Sequence, residues 1–257
     1  QVMAINPGDV DGLRTLDRLY GAAEDWWNLY STLETLHNLV SGEERLTIHL
    51  RMGKLLEREI GDATRAVDIF RDLLGEFPNN NEAVEALESM VRADLAADSA
   101  FAILAPVLAD RGEWSRLYVV YEVITDREED VVRKVANLLK MGEIAENRME
   151  EPLRGFECYG KAFVADPNNQ ESRDHIETLA SAHDMWENVP DLMLEGAKVV
   201  DGTPHALELR LHAARILRDR IGELPASAAA FEKIIEDNET NAEALSALDE
   251  LYQTMEK

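Results

Sequence analysis

The chain has 257 residues and is 46% hydrophobic, which is ordinary for a packed protein and excludes wholesale disorder. It carries 51 acidic residues against 26 Lys and Arg, a formal net charge of −25, which disfavours nucleic acids and anionic membrane surfaces as partners. The one cysteine, Cys158, excludes an internal disulfide framework, and no stretch approaches the roughly 18–20 apolar residues that would insert into a membrane.

Helices are predicted along the whole chain from apolar spacing and capping residues. The first carries Leu13, Leu16 and Leu19 on one face, after the cap residue Asp9. Later breaks, such as Phe77-Pro78-Asn79-Asn80, combine a proline with a capping asparagine. No strand is predicted. The predicted helices are Val10 to Tyr20, Trp26 to Val40, Glu43 to Ile60, Ala63 to Leu74, Glu82 to Asp94, Ser99 to Asp110, Trp114 to Thr125, Glu128 to Arg148, Pro152 to Ala165, Gln170 to His183, Trp186 to Val200, Pro204 to Ile221, Pro225 to Asp237 and Ala242 to Met255.

The stretch 50–80 recurs without a gap at a shift of 161 residues, and its landmark residues also recur at a shift of 89 residues. The equivalent cap positions Asp9, Asn80, Asn169 and Asn241 are separated by 71, 89 and 72 residues, and the two shorter intervals each fit two helical hairpins. The predicted repeat units are therefore 9–79, 80–168, 169–240 and a partial unit 241–257. The longer middle unit is explained by an extra helix near 98–112.

Small and aromatic residues recur at fixed places in three hairpins. Gly53, Gly142 and Ala214 occupy one position in the first helix. Small residues at these sites let helices approach closely, and an aromatic ring fills the remaining gap. The second helix supplies the small residues Ala66, Gly155 and Ser227 and the aromatic residues Phe70, Tyr159 and Phe231.

This pattern resembles the tetratricopeptide repeat family, with one residue added in the turn of each hairpin. The resemblance implies an all-α fold, a right-handed α-solenoid of about 14 antiparallel helices in one array over 1–257. It also implies a concave groove that holds a protein or peptide partner, but it implies no activity. The chain starts at Gln1, and both termini cut across the pattern. We therefore expect a segment of a longer array whose true N-terminus is missing, and the compartment stays undetermined.

The first helices of the three matched hairpins, 43–60, 127–148 and 203–221, contain 13 of the 26 basic residues and 11 of the 51 acids. If they line the concave face, Lys54, Arg58, Arg215 and Arg218 could bind acidic side chains of a partner. The alternative is that these bases pair with acids of neighbouring helices.

Four tryptophans divide into two kinds. Trp26, Trp114 and Trp186 begin equivalent helices, which favours hairpin packing over partner contact. Trp27 has no counterpart at Glu187 or Ser115, so it is the better candidate for an exposed contact.

No grouping of residues predicts catalysis, a cofactor or a metal, since phosphate loops, nucleophile elbows and Cys/His clusters are missing. Cys158 lies between Phe156 and Tyr159 and is expected to be a buried, inert thiol. The hypothesis is therefore a non-catalytic interaction scaffold. Two alternatives stay open: a spacer or rod that forms homo-oligomers through its ends, and a regulatory arm of a larger enzyme.

Overall fold

The computed structural model describes residues 8–255, and within this range the chain forms fourteen α-helices without a strand. The predicted all-α helical-repeat fold class is thereby confirmed. The helices are α1 (Val10–Ala22), α2 (Trp26–Leu39), α3 (Gly42–Leu55), α4 (Ala63–Glu76), α5 (Asn81–Arg92), α6 (Ala97–Asp110), α7 (Trp114–Arg127), α8 (Val131–Asn147), α9 (Pro152–Ala165), α10 (Gln170–His183), α11 (Val189–Val199), α12 (Pro204–Ile216), α13 (Leu224–Asp237) and α14 (Ala242–Met255).

The chain divides into two compact units, the first ending at Ile124 and the second beginning at Thr125. In the first unit α1 packs on α2, α3 on α4 and α5 on α6. In the second unit α8 packs on α9, α11 on α12 and α13 on α14, while α9 also contacts α11. Short turns between consecutive helices make the packed pairs antiparallel hairpins. The predicted boundaries of the repeat units stay a prediction.

The capping asparagines act alike in successive hairpins. The side-chain oxygens of Asn80 and Asn169 each accept a hydrogen bond of 2.8 Å from the backbone N–H three residues ahead, and that of Asn241 accepts one of 2.9 Å. Each asparagine therefore satisfies one of the N–H groups that a helix start leaves unpaired. Asp9 precedes α1 at the equivalent position but its side chain makes no such bond.

Two predicted helices end differently from the prediction. The segments Glu43 to Ile60 and Pro204 to Ile221 were expected to be continuous, but each ends in a π-helical turn, Leu56–Ile60 and Leu217–Ile221. Left-handed Gly61 (φ 77°) and Gly222 (φ 82°) close these turns, because glycine reaches positive φ without a Cβ clash. A third departure is Trp186–Asn188, which forms a 3₁₀ turn before α11.

The predicted contact between a small residue and an aromatic ring is confirmed inside the hairpins. A Cβ built on Gly53 would lie 2.5 Å from the ring of Phe70, and one on Gly142 would lie 2.4 Å from the ring of Tyr159. Each ring is fully buried. The resemblance to tetratricopeptide repeats therefore rests on a physical contact, since each ring occupies space that only a small residue leaves open.

The third hairpin, α12–α13, is a variation on this packing. Ala214 and Ser227 are fully buried, and the Ser227 hydroxyl donates a 2.8 Å hydrogen bond to the Ala214 carbonyl. In the α8–α9 hairpin the equivalent Gly155 lies so close that a Cβ would be 3.3 Å from the Gly142 carbonyl oxygen. Cys158, on the same helix as Gly155, is 2% exposed, so its predicted burial is confirmed.

Candidate protein-interaction sites

The predicted basic residues of α3 and α12 lie in different units and form equivalent ion pairs. Lys54 Nζ lies 2.6 Å from a Glu82 carboxylate oxygen, and Arg215 lies 3.5 Å from Glu243. Both the bases and the acids are related by the 161-residue shift. Pairing with acids of a neighbouring helix, the alternative that the sequence left open, is therefore observed for these two bases. Their role in binding a partner stays a prediction.

Arg218 lies beside Arg215 on the surface of the α12–α14 region. Its guanidinium lies 2.8 Å from Asp219 and 3.8 Å from Glu250. Both arginines border a cavity of about 290 Å³ that is also lined by Phe231, Ser246 and Ala247. The structure thus brings two of the four predicted bases together at a concave patch that already holds carboxylates.

Arg58 and Trp27 are the most exposed of the predicted site residues. The Arg58 side chain is 65% exposed, with its nearest carboxylate, that of Glu57, 4.0 Å away. Trp27 is 55% exposed and makes an edge contact with Tyr30, and the guanidinium of Arg65 lies 5.5 Å from its ring centroid. Trp27 is therefore available as an exposed aromatic contact.

Sequence reasoning missed a carboxylate buried beside these residues. One oxygen of Glu57 is buried and, within residues 8–255, has no hydrogen-bond partner. Burial raises the pKa of this carboxyl group, with Arg58 and Lys54 opposing the shift. The equivalent residue Glu146 accepts a 3.0 Å hydrogen bond from the Tyr159 hydroxyl, which Phe70 cannot supply in the first hairpin. This difference is visible in the sequence, because a shift of 89 residues aligns Glu57 with Glu146 but Phe70 with Tyr159.

Sequence reasoning also missed a groove between α9 and α11. It has a volume of about 620 Å³, and its apolar wall is formed by Leu153, Phe156, Val164 and Leu192. It exists because α9 and α11 approach closely: a Cβ on Gly160 would lie 3.2 Å from the Leu192 side chain. The usable signal in the sequence was the stripe Leu153, Phe156, Gly160 and Val164, which follows a helical period.

The rim of this groove is charged and mostly acidic. Glu157, Asp191 and Glu195 line it together with one base, Lys161. Asp191 and Glu195 also line a second cavity of about 390 Å³, where α11 meets α12 and α13. That cavity is different in charge, because Lys198, Arg210 and Lys233 balance its acids.

His37 of α2 and His49 of α3 form a partly buried pair of imidazole rings. The rings of His37 and His49 are 4.5 Å apart between centroids, and His49 is 6% exposed. Burial lowers the pKa of both imidazoles, and each also faces the positive charge of Arg45. The folded chain therefore favours the neutral form of both imidazoles.

The structure offers no grouping for metal chemistry in the part that it describes. Over residues 8–255, no three His, Cys, Asp or Glu side chains come together in a way that could hold a metal ion. In the same range no helix is long and apolar enough to cross a bilayer.

Comparisons with known proteins find solved structures that are similar to this chain at low sequence identity. No protein-family model and no curated protein matches the sequence. A tetratricopeptide repeat protein from Parabacteroides merdae is similar with 13% identity and a TM-score of 0.36, over 95% of this chain and 98% of that one. The assembly chaperone of RpL4 is similar with 11% identity and a TM-score of 0.29, over 96% of each chain. The fold assignment rests on the hairpin packing described above.

Proposed function

We propose that this chain is a non-catalytic scaffold that binds a protein or peptide partner through a basic surface on the first helices of its hairpins. In the first unit this surface consists of Lys54 and Arg58, with Trp27 as an exposed aromatic contact, and in the second unit it consists of Arg215 and Arg218. The partner presents acidic side chains to the bases.

The observation that carries the proposal is the ion pairing of Arg215 and Arg218 at the cavity beside Phe231. Glu243 and Glu250 lie 3.5 Å and 3.8 Å from these guanidinium groups, beyond the ideal length of a charge-assisted hydrogen bond, while Arg218 also contacts its sequence neighbour Asp219 at 2.8 Å. Exposed pairs of this kind contribute about 0–1 kcal/mol, so exchange for a partner's carboxylates costs little. The cavity is lined mainly by these charged side chains and Ser246, so it suits a polar or acidic group of a partner.

Photo-crosslinking tests this surface directly. A photoreactive amino acid in place of Arg58, Trp27 or Arg218 should crosslink a protein partner in cells, whereas the same replacement at exposed Arg18 or Arg71 should not. Equal crosslinking at all five positions would show that the basic surface is not selective.

Charge reversal provides the second test. Lys54→Glu/Arg58→Glu, in the same unit as Trp27, should abolish the crosslink formed at Trp27, because acids would repel the partner's carboxylates. Arg18→Glu/Arg71→Glu changes the net charge equally and should leave that crosslink intact. Far-ultraviolet circular dichroism confirms that each variant is folded.

A second candidate function, self-association, is favoured by the exposed face of α14. Leu245, Tyr252 and Met255 are 47%, 42% and 38% exposed on this one helix. Sedimentation velocity over a hundredfold concentration range separates the candidates. A scaffold for other proteins sediments as one species throughout, while a self-assembling rod shows mass that grows with concentration and is lost in Leu245→Ser.

A further inference from the structure

The groove between α9 and α11 is a second binding surface, and its chemistry is opposite to that of the basic surface. We infer that it binds an amphipathic α-helix that carries an apolar stripe flanked by Lys or Arg. This docking site is separate from the residues of the proposed function and does not depend on them.

The apolar wall of the groove fits a helix of about three turns. Leu153, Phe156, Gly160 and Val164 follow one face of α9, and the 11 steps from Leu153 to Val164 rise by about 16 Å. Leu153 is 57% exposed although it lies at the mouth of an apolar concavity. An apolar helix face laid in such a groove removes both surfaces from water.

Glycines on both helices allow α9 and α11 to pack closely, and this contact forms the floor of the groove. Leu192 packs against Gly160, and the ring of Phe163 packs so closely on Gly196 that a Cβ there would lie 2.6 Å from it. This reciprocal contact leaves no room for a larger residue at Gly160 or Gly196. The groove above it is therefore a fixed feature of the packing.

Charge selects the partner. Within residues 8–255, the carboxylates of Glu157, Asp191 and Glu195 form no ion pair or hydrogen bond, in contrast to Lys54, Arg215 and Arg218. Asp191 and Glu195 are four residues apart on α11, so their like charges repel each other on one helix face. Lys or Arg at a matching spacing on a docked helix would relieve this repulsion.

The charge of the neighbouring cavity explains why a basic helix is expected to bind in the α9–α11 groove instead. Arg210, which lines that cavity, lies 2.9 Å from Asp237 and 2.6 Å from Asp201, so its charges are already satisfied. On the α9 side a basic helix meets Glu157 together with Asp191 and Glu195 and one base, Lys161, whereas three bases balance the acids of the neighbouring cavity.

The test uses three synthetic peptides of about 18 residues, long enough for five helical turns. One carries a Leu stripe flanked by Lys, the second replaces Lys by Glu, and the third is a scramble of the first that keeps its composition. Fluorescence anisotropy at near-physiological salt should show that the basic amphipathic peptide binds at least about tenfold more tightly than either of the others. Equal binding of the scramble would overturn the proposal, because diffuse attraction to an acidic protein would then suffice.

Variants locate the binding. Asp191→Lys/Glu195→Lys should weaken the basic peptide about tenfold, and Leu153→Ser about fivefold, since Leu153 is exposed and its loss does not endanger folding. The matched control Glu236→Lys/Glu239→Lys makes the same change of net charge at exposed positions of the α13–α14 region and should change affinity less than about twofold.

Two further outcomes decide between surfaces. Arg58→Glu/Arg218→Glu should leave binding of the basic peptide intact or slightly tighter; a loss of binding would place the peptide on the basic surface and overturn the inference. Sedimentation of wild type as a dimer that Leu153→Ser converts to monomer would show that a second copy covers the groove, which would also overturn it.

Discussion

The α3–α4 hairpin and the α8–α9 hairpin share one packing scheme but differ in how they treat the same carboxylate. In both, a glycine of the first helix faces an aromatic ring of the second, Gly53 with Phe70 and Gly142 with Tyr159. Only the second ring carries a hydroxyl, and it donates to Glu146. The first hairpin therefore keeps Glu57 partly buried, with one oxygen that has no hydrogen-bond partner among the described residues.

The comparison shows which contact the two hairpins share and which contact differs between them. The contact between the small residue and the ring recurs because it sets the distance between the helices. The polar contact next to it varies, because a carboxylate at the end of a long side chain can be paired, left unpaired or replaced. In the third hairpin the equivalent residue is Arg218, which turns outward to Asp219 and Glu250.

The largest effect is expected where the shared contact is broken. Gly142→Ala and Gly53→Ala place a methyl group within 2.4 Å and 2.5 Å of a buried ring, so each should lower the free energy of unfolding by about 2–3 kcal/mol. Gly75→Ala on α4 is the control, since nothing lies within 4 Å of its Cβ and alanine favours the helix by up to about 1 kcal/mol. Chemical denaturation measures all three, and unchanged stability in Gly142→Ala would refute the packing described.

The next effect is expected from Tyr159→Phe, which makes the second hairpin resemble the first. Glu146 would lose its donor while staying partly buried, which should cost about 2 kcal/mol of unfolding free energy. The same replacement at Tyr252, an exposed tyrosine that contacts Glu232, is a control expected to cost less than about 0.5 kcal/mol. Equal losses in the two variants would mean that burial of the acid does not matter.

The two hairpins should also respond differently to acid. His49 of the first hairpin aligns with Leu138 of the second, and the pKa of His49 is lowered by burial and by the nearby His37. The unfolded chain therefore takes up protons first, so stability falls once the pH drops below about 6.5 and continues to fall until the lower folded pKa is passed. The slope is at most about 1.4 kcal/mol per pH unit for each histidine.

Replacing the buried histidine tests this assignment. His49→Leu should flatten the dependence of the free energy of unfolding on pH between about 6.5 and 5, measured by urea denaturation at several pH values. The groups that face the pair are Arg45, Asp72 and Glu76. His183→Leu, at an exposed site in the second unit, is the control and should leave the slope unchanged.

The smallest effect concerns the turn that ends the first helix of each hairpin. Gly61 and Gly222 adopt a left-handed conformation, and in the middle repeat Glu150 adopts it at φ 58°. The same backbone hydrogen bond closes all three turns, from Asp62, Glu151 and Glu223 to the residue six positions earlier, at 2.8–2.9 Å. Glu150→Gly should therefore stabilise the chain by up to about 1 kcal/mol in thermal or chemical unfolding, because glycine adopts this conformation without strain. A loss of stability would show that Glu150 makes a contact worth more than the strain.

The sequence was sufficient for the helices and for their equivalence, because the repeat places caps, small residues and rings at fixed intervals. It was not sufficient for the π-helical turns at Leu56–Ile60 and Leu217–Ile221, since apolar spacing looks the same whether a helix ends in an α or a π turn. The basic residues were found from their uneven distribution. Their pairing with Glu82 and Glu243 depends on contacts between hairpins, which spacing along one helix does not contain.

The groove between α9 and α11 could not be predicted from the sequence, for a related reason. Its residues lie on two helices about 30 positions apart, and each helix taken alone shows an ordinary amphipathic face. Only the close contact of Gly160 with Leu192 shows that the two exposed edges share one cavity. Trp27, by contrast, was predicted as exposed because its lack of a counterpart is visible in the repeat itself, and it is 55% exposed.

A double-mutant cycle that moves the polar contact from one hairpin to the other tests most directly whether the hairpins are equivalent in register. Phe70→Tyr is combined with Glu57→Leu, and the coupling energy is compared with that of Tyr159→Phe and Glu146→Leu. If the register is shared, the hydroxyl introduced by Phe70→Tyr reaches Glu57, and both cycles give a coupling of about 1–2 kcal/mol, with Phe70→Tyr itself stabilising the chain. A coupling near zero between positions 57 and 70, beside a normal value between 146 and 159, would contradict the equivalence on which the whole account depends.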